Sequence, residues 1–289
     1  MRFTKPITDI IRARTSVRTY AGTPIDPADE ALLRDFLSSG PAGPFGTKSR
    51  FELITAGSGD ADALKGLGTY GAISRPAGFI AGAVENGGRD LEDFGYIMET
   101  VILLATDLGL GTCWLGGSFR QSRFAAAVRV GDRESIPAVV SLGNPAAKRR
   151  LVENLMRRSA KADTRMPWEP LFFLGAFDRP LSRHEAGEYA EPLEMVRLGP
   201  SASNKQPWRV VKDPEGAVLH FYLQRTKGYD RSRRRLFRMA DLQRVDIGIA
   251  MCHFALTAEE LGLAGAWATA DPRLVPLPPD TEYVVSWRA

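Results

Sequence analysis

The chain has 289 residues, of which 44% are hydrophobic and 25% charged, with a formal net charge of +4. This is the composition of a globular protein, long enough for one large domain or two of about 150 residues. A mildly basic charge suits an anionic ligand and does not by itself indicate nucleic acid. The sequence contains neither a signal-type apolar core nor a run of 18 apolar residues. We therefore expect a cytoplasmic protein with no membrane-bound segment.

The first distinctive motif is RTSVR, from Arg14 to Arg18. Two guanidinium groups on either side of Ser16 offer charge-assisted donors and a hydroxyl, a donor set that suits a phosphate group. The alternative is the basic start of a helix capped by Thr15 or Ser16, because Thr and Ser commonly cap helices. The motif alone does not distinguish the two interpretations.

A repeat occupies the middle and the end of the chain. Residues 95–114 and 248–267 match at eight of 20 positions with a constant offset of 153 residues, whereas chance gives about one match in twenty. Each copy has more apolar residues than one face of a surface helix would hold, so each copy predicts a helix that is mostly buried. Gly109 and Gly262 occupy the position of the helix C-cap.

The repeat extends into the flanking segments. A short strand should follow each buried helix, and the closing strands PAVVSLG (137–143) and EYVVSWR (282–288) correspond. SSGPAG (38–43) and RLGPSA (197–202) also correspond, each after a helix-like stretch. The basic, helix-like insert RQSRFAAAVRVGD (120–132) occurs only in the first copy.

The repeat predicts an α+β fold in two related halves, residues 1–150 and 151–289, with a bridging segment at 148–168. An apolar helix needs a partner to cover it, and each half can cover the helix of the other. The expected architecture is an internal duplication that packs as a pseudo-dimer within one chain.

The second distinctive motif is the loop PSASNKQPW, from Pro200 to Trp208. Its side chains Ser201, Asn204 and Gln206 can donate and accept hydrogen bonds, so they could read the polar edge of a ligand. An ordinary polar loop before a strand is the alternative. The pair Gly116–Gly117 either lets the backbone approach a ligand without a Cβ or forms a flexible turn.

The cysteines and histidines predict no metal centre. Cys113 and Cys252 lie in apolar stretches outside any CxxC motif, so we expect buried, reduced thiols. The histidines lack the spacing of metal ligands. They are His184, His220 and His253.

Three of these motifs together resemble the nitroreductase family of FMN enzymes. RTSVR is similar to the family's flavin-phosphate motif, PSASNKQPW to its loop around the isoalloxazine ring, and LGLGTCWLGG (108–117) to its helix-to-strand turn beside the flavin. The long chain, with RMPWEPLFF (165–173) in the bridge, is similar to the TM nitroreductase branch, in which one polypeptide carries two related halves.

The resemblance implies one FMN site made by both halves. Family members take the basic motif from one subunit and the loop from the other, so this chain should be functional as a monomer, with dimerisation through another surface still open. Where the second half has the loop, the first has GPAGPFGTKSRF (40–51). The second copy has residues 268–270, ATA, in place of LGG. We therefore predict one flavin per chain.

The resemblance also assigns the residues that would bind FMN. The basic motif would hold the phosphate together with Arg165 from the bridge, and a backbone N–H, from Gly117, would face the flavin N5. The competitors of Arg165 are Arg157, Arg158 and Lys161. The full set is Arg14, Ser16, Arg18, Leu115, Gly116, Gly117, Arg165, Pro200, Ser201, Ala202, Asn204 and Gln206.

The activity implied is that of an FMN-dependent oxidoreductase, which passes a hydride from NAD(P)H to an electrophilic acceptor such as a nitroaromatic or a quinone in a ping-pong exchange. Because the cofactor carries this chemistry, no catalytic side chain is nominated. The alternatives are a flavin-binding protein with a sensory or structural role and, within the family, dehalogenation or flavin breakdown.

The Arg-rich segment 225–244 is either a solvated surface or an electropositive rim for NADPH or anionic substrates. Nucleic-acid binding is not predicted.

Overall fold

The computed structural model of the chain describes residues 3–55, 64, 67, 69, 71–117, 119–159, 161–229 and 240–289. Residues 230–239 of the Arg-rich segment lie outside this description, so the role expected of that segment stays a prediction. The helices of the described residues are α1 (Ile7–Ala13), α2 (Pro27–Ser38), α3 (Asp90–Asp107), α4 (Gln121–Ala127), α5 (Leu151–Ser159), α6 (Arg183–Ala186), α7 (Ala190–Leu198) and α8 (Leu242–Glu260). The strands are β1 (Ser49–Thr55), β2 (Gly78–Glu85), β3 (Gly111–Leu115), β4 (Glu134–Ser135), β5 (Val139–Gly143), β6 (Phe172–Leu174), β7 (Trp208–Lys212), β8 (Val218–Gln224), β9 (Ala266–Ala268) and β10 (Thr281–Arg288).

The strands form two sheets with the same strand order. The first sheet runs β1-β2-β5-β3, with β4 beside β2, and its pairs are antiparallel. The second runs β7-β8-β10-β9, and β6 extends it through a parallel pair with β7. In each half a long helix, α3 or α8, precedes the edge strand. The predicted internal duplication is therefore confirmed in the topology, and the insert of the first half forms α4.

The helices α3 and α8 cross at the centre of the molecule. An ideal Cβ on Gly95 would overlap the carbonyl oxygen of Val245, and one on Gly248 would overlap the carbonyl oxygen of Glu92. Gly95 and Gly248 are equivalent positions of the repeat, and so are Glu92 and Val245. The two helices thus meet at backbone contact across an internal pseudo-twofold axis, an approach that requires glycine.

Both central helices end as the repeat predicts. Gly109 and Gly262 have φ values of 81° and 71°, in the left-handed region that glycine adopts at a helix C-terminus. In each copy the N–H of the following leucine donates to a carbonyl five residues earlier, at 2.9 Å. This cap turns the chain from the buried helix into the edge strands β3 and β9.

Each central helix packs on the inner face of its own sheet, giving the order sheet, helix, helix, sheet. Phe94 of α3 lies in a core cluster with Ile80 of the first sheet, and Phe254 of α8 in one with Phe221 of the second. Both cysteines are buried and free, as predicted. None of the helices in the described part of the chain has the length and apolar character needed to cross a bilayer.

Candidate functional site

A basic cavity of about 330 Å³ lies between the N-terminal segment, the bridge and the start of the second-half loop. Five arginines line this basic cavity: Arg12, Arg14, Arg18, Arg157 and Arg165. Among the described residues of its lining, the one carboxylate, Asp163, forms an ion pair with Arg157. Such a concentration of guanidinium groups favours a multiply charged anion, for which phosphate is the common biological case.

Two arginines of the basic cavity have a buried donor atom without a hydrogen-bond partner, and two have a lowered pKa. Burial, together with the charges of neighbouring arginines, lowers the pKa of Arg165 to about 10. Burial also lowers the pKa of Arg14, against the opposing effect of the Glu99 carboxylate. The Nε of Arg14 and the Nη1 of Arg18 are buried without a hydrogen-bond partner. A bound anion would satisfy both donors and offset the repulsion among the arginines.

The RTSVR segment is extended, so the alternative of a helix start is wrong. Ser16 pairs with Thr112 of β3 in a parallel bridge, which lays the segment along the edge of the first sheet. On its other side, Nη1 of Arg157 donates to the carbonyl of Ser16 at 3.2 Å. One turn earlier in α5, Glu153 accepts from the hydroxyl of Thr19 at 2.7 Å. One face of the bridge helix therefore fixes the motif.

An apolar cavity of about 390 Å³ adjoins the basic cavity. The residues common to both linings are Ser16, Arg18, Pro200, Ser201 and Ser203. Both halves of the chain contribute to the walls of the apolar cavity, which include Trp114, Gly116, Gly117, Ala202, Leu242, Val245 and Ile249. A largely apolar space that continues into a cluster of cations suits a ligand with an aromatic body and an anionic tail.

The loop Pro200–Trp208 has an unusual backbone. Ser203, Asn204 and Gln206 have φ values of 52°, 56° and 49°, in a left-handed region that residues with a Cβ rarely adopt. The N–H of Gln206 donates to Oγ of Ser201 at 2.8 Å, which closes the loop on itself. Backbone outliers of this kind concentrate where a protein holds a ligand.

The two amide side chains of the loop bind the bridge. Nδ2 of Asn204 donates to the carbonyl of Lys161 at 2.8 Å, and Oε1 of Gln206 accepts from the N–H of Met166 at 3.0 Å. Asn204 lines the basic cavity. The structure therefore gives these amides a part in joining loop and bridge, and their predicted contact with the polar edge of a ligand stays a prediction.

Asp246 of α8 lies beside the loop. It is 2% exposed and lines the apolar cavity. Its Oδ1 accepts from the N–H of Ala202 at 2.8 Å, whereas its Oδ2 has no hydrogen-bond partner. Burial raises the pKa of this carboxyl well above its usual value, and the N–H of Ala202 opposes the shift only in part.

Gly116 serves the packing between the two halves. An ideal Cβ at this position would overlap the side chain of Leu242 in α8. The packing against Leu242 therefore requires a residue without a Cβ at position 116, and the predicted approach of a ligand to Gly116 stays a prediction. Gly116 and Gly117 both line the apolar cavity.

A buried carboxylate, Glu99 of α3, links the two cavities. Its Oε2 accepts from the indole N–H of Trp114 at 2.8 Å. Its Oε1 lies 3.0 Å from Nε2 of His253 and 3.8 Å from Nε of Arg14, and Nδ1 of His253 donates to the carbonyl of Met195 at 2.9 Å. Because Trp114 lines the apolar cavity and Arg14 the basic one, Glu99 positions a residue in each.

Most of the predicted FMN residues come together. Those that line one or both cavities are Arg14, Ser16, Arg18, Gly116, Gly117, Arg165, Pro200, Ser201, Ala202 and Asn204. Two predicted residues line neither cavity. Leu115 packs in the core of the first half, and the side chain of Gln206 accepts from the N–H of Met166 in the bridge. Arg157 lines the basic cavity beside Arg165. The part of each residue in holding a cofactor stays a prediction.

Sequence reasoning missed Asp246 and Glu99. Asp246 and its equivalent in α3, Asp93, stand two residues before the first glycine of the repeat. Extending the repeat upstream would have found an acid conserved between the two copies inside an apolar helix. Glu99 has Cys252 as its equivalent, so its only signal was a charge in an apolar helix. In the described part of the chain, no three side chains of metal-ligating type cluster together.

A family model described as "Putative TM nitroreductase" matches residues 6–258. The chain belongs to this family. The match spans both halves, from α1 to the last turns of α8, and so includes the basic motif and the loop. A comparison with curated proteins returns no match.

Solved structures of nitroreductases are also similar to the chain. A "putative nitroreductase" of Thermotoga maritima is 19% identical with a TM-score of 0.60, over 99% of this chain and 95% of that chain. One of Desulfovibrio desulfuricans in complex with FMN is 24% identical with a TM-score of 0.39, over 52% of this chain and 95% of that chain. The nitroreductase of Bacteroides fragilis with bound FMN is 22% identical with a TM-score of 0.39, over 51% and 92%.

The likeness to the Thermotoga maritima protein shows the fold over the whole chain. The predicted α+β, nitroreductase-like fold is therefore confirmed. Membership of the nitroreductase family places the chain among oxidoreductases.

Proposed function

We propose that this nitroreductase-family protein is an FMN-dependent oxidoreductase that passes a hydride from NAD(P)H to an electrophilic small molecule such as a nitroaromatic or a quinone. The observation that carries the proposal is the pair of adjoining cavities, one lined by five arginines and one largely apolar, built from both halves of the chain. Family membership supports redox chemistry at this site.

The residues present fit FMN. The phosphate would take the unpartnered donors of Arg14 and Arg18 in the basic cavity. The ribityl hydroxyls would lie where Ser16 and Ser201 line both cavities, and the ring would occupy the apolar cavity beside Gly116–Gly117. Polar groups thus meet the polar parts of FMN and apolar groups meet its ring.

Bound FMN would supply the hydride chemistry. The chain would bind and orient the ring between the loop and the turn after β3, and Trp114 and Ile249 would exclude water from one side of it. A backbone N–H at Gly117 is the candidate donor to the negative charge that develops on reduction. Donor and acceptor would use the same apolar cavity in turn.

We propose one FMN per chain. The equivalent region of the other half holds a cavity of about 620 Å³ beside Tyr96, Trp267 and Trp287. Its lining, as far as the structure describes it, contains no arginine or lysine and one acid, Glu259. A phosphate dianion would find no counter-charge there.

The test starts with the visible spectrum of the purified protein and the amount of FMN that heat or acid releases per chain. Anaerobic addition of NADH or NADPH should then bleach the flavin band, and a nitroaromatic or a quinone should restore it. About one FMN per chain with bleaching supports the proposal. FMN that neither nucleotide reduces would support a flavin-binding protein without turnover, and two FMN per chain would contradict the single site.

We propose that the monomer is functional, since both halves of one chain line the basic cavity and the apolar cavity. Light scattering across a dilution series, with bound flavin followed in parallel, checks this. Loss of flavin that tracks dissociation of a dimer would mean that two chains share the site.

A further inference from the structure

We propose that Asp246 binds the flavin ring directly, its carboxyl donating a hydrogen bond from Oδ2 to an acceptor atom of the ring in the apolar cavity. This inference rests on the proposed function, because it takes the ring of FMN as the occupant of that cavity. It assigns Asp246 a positioning and electrostatic role that no sequence motif indicated.

The equivalent acid in the other half shows what a purely structural residue does at this position. Asp93 is fully buried. Its Oδ1 accepts from the N–H of Phe45 at 2.9 Å, and its Oδ2 accepts from the N–H of Thr47 at 2.8 Å. Both oxygens of Asp93 are therefore used to hold the loop that follows α2.

Asp246 holds its own loop with one oxygen only. Oδ1 takes the N–H of Ala202 at 2.8 Å, and Oδ2 is buried without a partner. An unpaired buried polar atom costs stability, and proteins keep few of them. Of the two equivalent acids, Asp246 is the one with an unpaired oxygen, and it is also the one that lines the apolar cavity. A ligand in that cavity can supply the missing partner.

The surroundings of Asp246 favour a neutral carboxyl. It lies among Leu242, Val245 and Ile249 in the lining of the apolar cavity, and burial with the nearby Asp241 raises its pKa well above the usual value. In the neutral form Oδ1 accepts from Ala202 and Oδ2 carries a proton to donate. The carbonyl oxygens and the ring nitrogens N1 and N5 of oxidised isoalloxazine are acceptors. A neutral acid in an apolar site can therefore stabilise negative charge on the ring while keeping its proton.

The experiment measures FMN affinity and the visible spectrum of bound FMN in the full chain for the wild type, Asp246→Asn and Asp246→Leu. An amide can still accept from Ala202 and donate from its nitrogen, so Asp246→Asn should bind within about threefold of the wild type. Asp246→Leu should bind at least about tenfold more weakly and shift the flavin band, because the donor is lost. Asp246→Ala repeats the loss with a smaller side chain should the leucine variant fail to fold, and thermal melting of each flavin-free chain checks folding.

Asp93→Asn is the matched control, at the equivalent position of the other loop. It should leave both the affinity and the spectrum unchanged. Folded Leu or Ala variants that bind FMN like the wild type, with the same spectrum, would overturn the inference alone. An Asn variant as weak as the Leu variant would overturn the assignment of Asp246 as a donor. A wild-type chain that binds no FMN would overturn the proposed function and this inference with it.

Discussion

The loops that follow α2 and α7 start from equivalent positions of the two halves and have diverged in the way they are stabilised. In the first half, Asp93 uses both carboxylate oxygens to hold its loop. In the second half, Asp246 uses one, and the loop beside it carries three residues with positive φ. Equal helices thus support one loop that is satisfied internally and one that is not. The unpaired oxygen of Asp246 lies beside the apolar cavity, whereas both oxygens of Asp93 are used within its own loop.

The same asymmetry occurs at the axis between α3 and α8. Equivalent positions cross-pair there, so Glu99 contacts His253 and Thr100 contacts Cys252 at 3.3 Å. The Glu99–His253 pair lies next to Arg14, whereas the Thr100–Cys252 pair contributes to packing only. Of the two polar pairs at the axis, Glu99–His253 therefore adjoins the basic cavity and Thr100–Cys252 lies in the core.

The largest effect should follow Glu99→Gln, which leaves the buried Arg14 without its carboxylate. We expect the free energy of unfolding of the flavin-free chain to fall by about 3–5 kcal/mol, because an unpaired buried charge is costly. Saturating FMN should restore part of the loss through its phosphate. Chemical denaturation with and without FMN measures both. The control is Cys252→Ala at the equivalent position, which should cost about 1 kcal/mol, and equal losses in the two variants would contradict the comparison.

Gly248→Ala tests the crossing of the two central helices. Its Cβ would overlap the carbonyl of Glu92, so α3 and α8 must move apart, at a cost of about 1–3 kcal/mol. Thermal melting of the flavin-free chain checks this, with Gly88→Ala as the control, since a Cβ at Gly88 meets no atom within 4 Å. Equal melting temperatures in the two variants would show that the helices do not depend on close contact here.

Arg14→Ala should weaken FMN binding by about 1.5–3 kcal/mol, or roughly ten- to a hundredfold, through the loss of a charge-assisted hydrogen bond to phosphate. Titration of the flavin-free chain with FMN measures the change. Arg133→Ala is the control, because the Arg133 side chain is 88% exposed and pairs only loosely with Glu85, at 3.9 Å. Riboflavin, which lacks the phosphate, should bind the Arg14 variant and the wild type alike. A matching loss of riboflavin affinity would mean that Arg14 does not act on the phosphate.

The smallest effect concerns the pH dependence of stability at Asp246. The pKa of Asp246 is higher in the folded chain than its unfolded value of about 3.9. Its contribution to stability is therefore complete below that value and is lost as the pH rises through the folded pKa. From pH 4 to pH 5 the flavin-free wild type should lose stability relative to Asp246→Asn, by up to about 1.4 kcal/mol over that one pH unit. Chemical denaturation across this range measures the difference, and a constant difference would show that Asp246 ionises normally.

The sequence by itself determined the duplication, the two buried helices and their glycine caps, because apolar periodicity and glycine positions are local properties of the chain. It also determined which motifs belong together, through their likeness to a family. Only the tertiary structure decided which atoms stay unpaired. Asp93 and Asp246 are the same residue type at equivalent positions of the repeat. Their carboxyl groups differ in hydrogen bonding because one loop brings two backbone N–H groups to Asp93 and the other brings one to Asp246. Hydrogen bonds between residues distant in the chain depend on tertiary packing, so sequence patterns do not predict them.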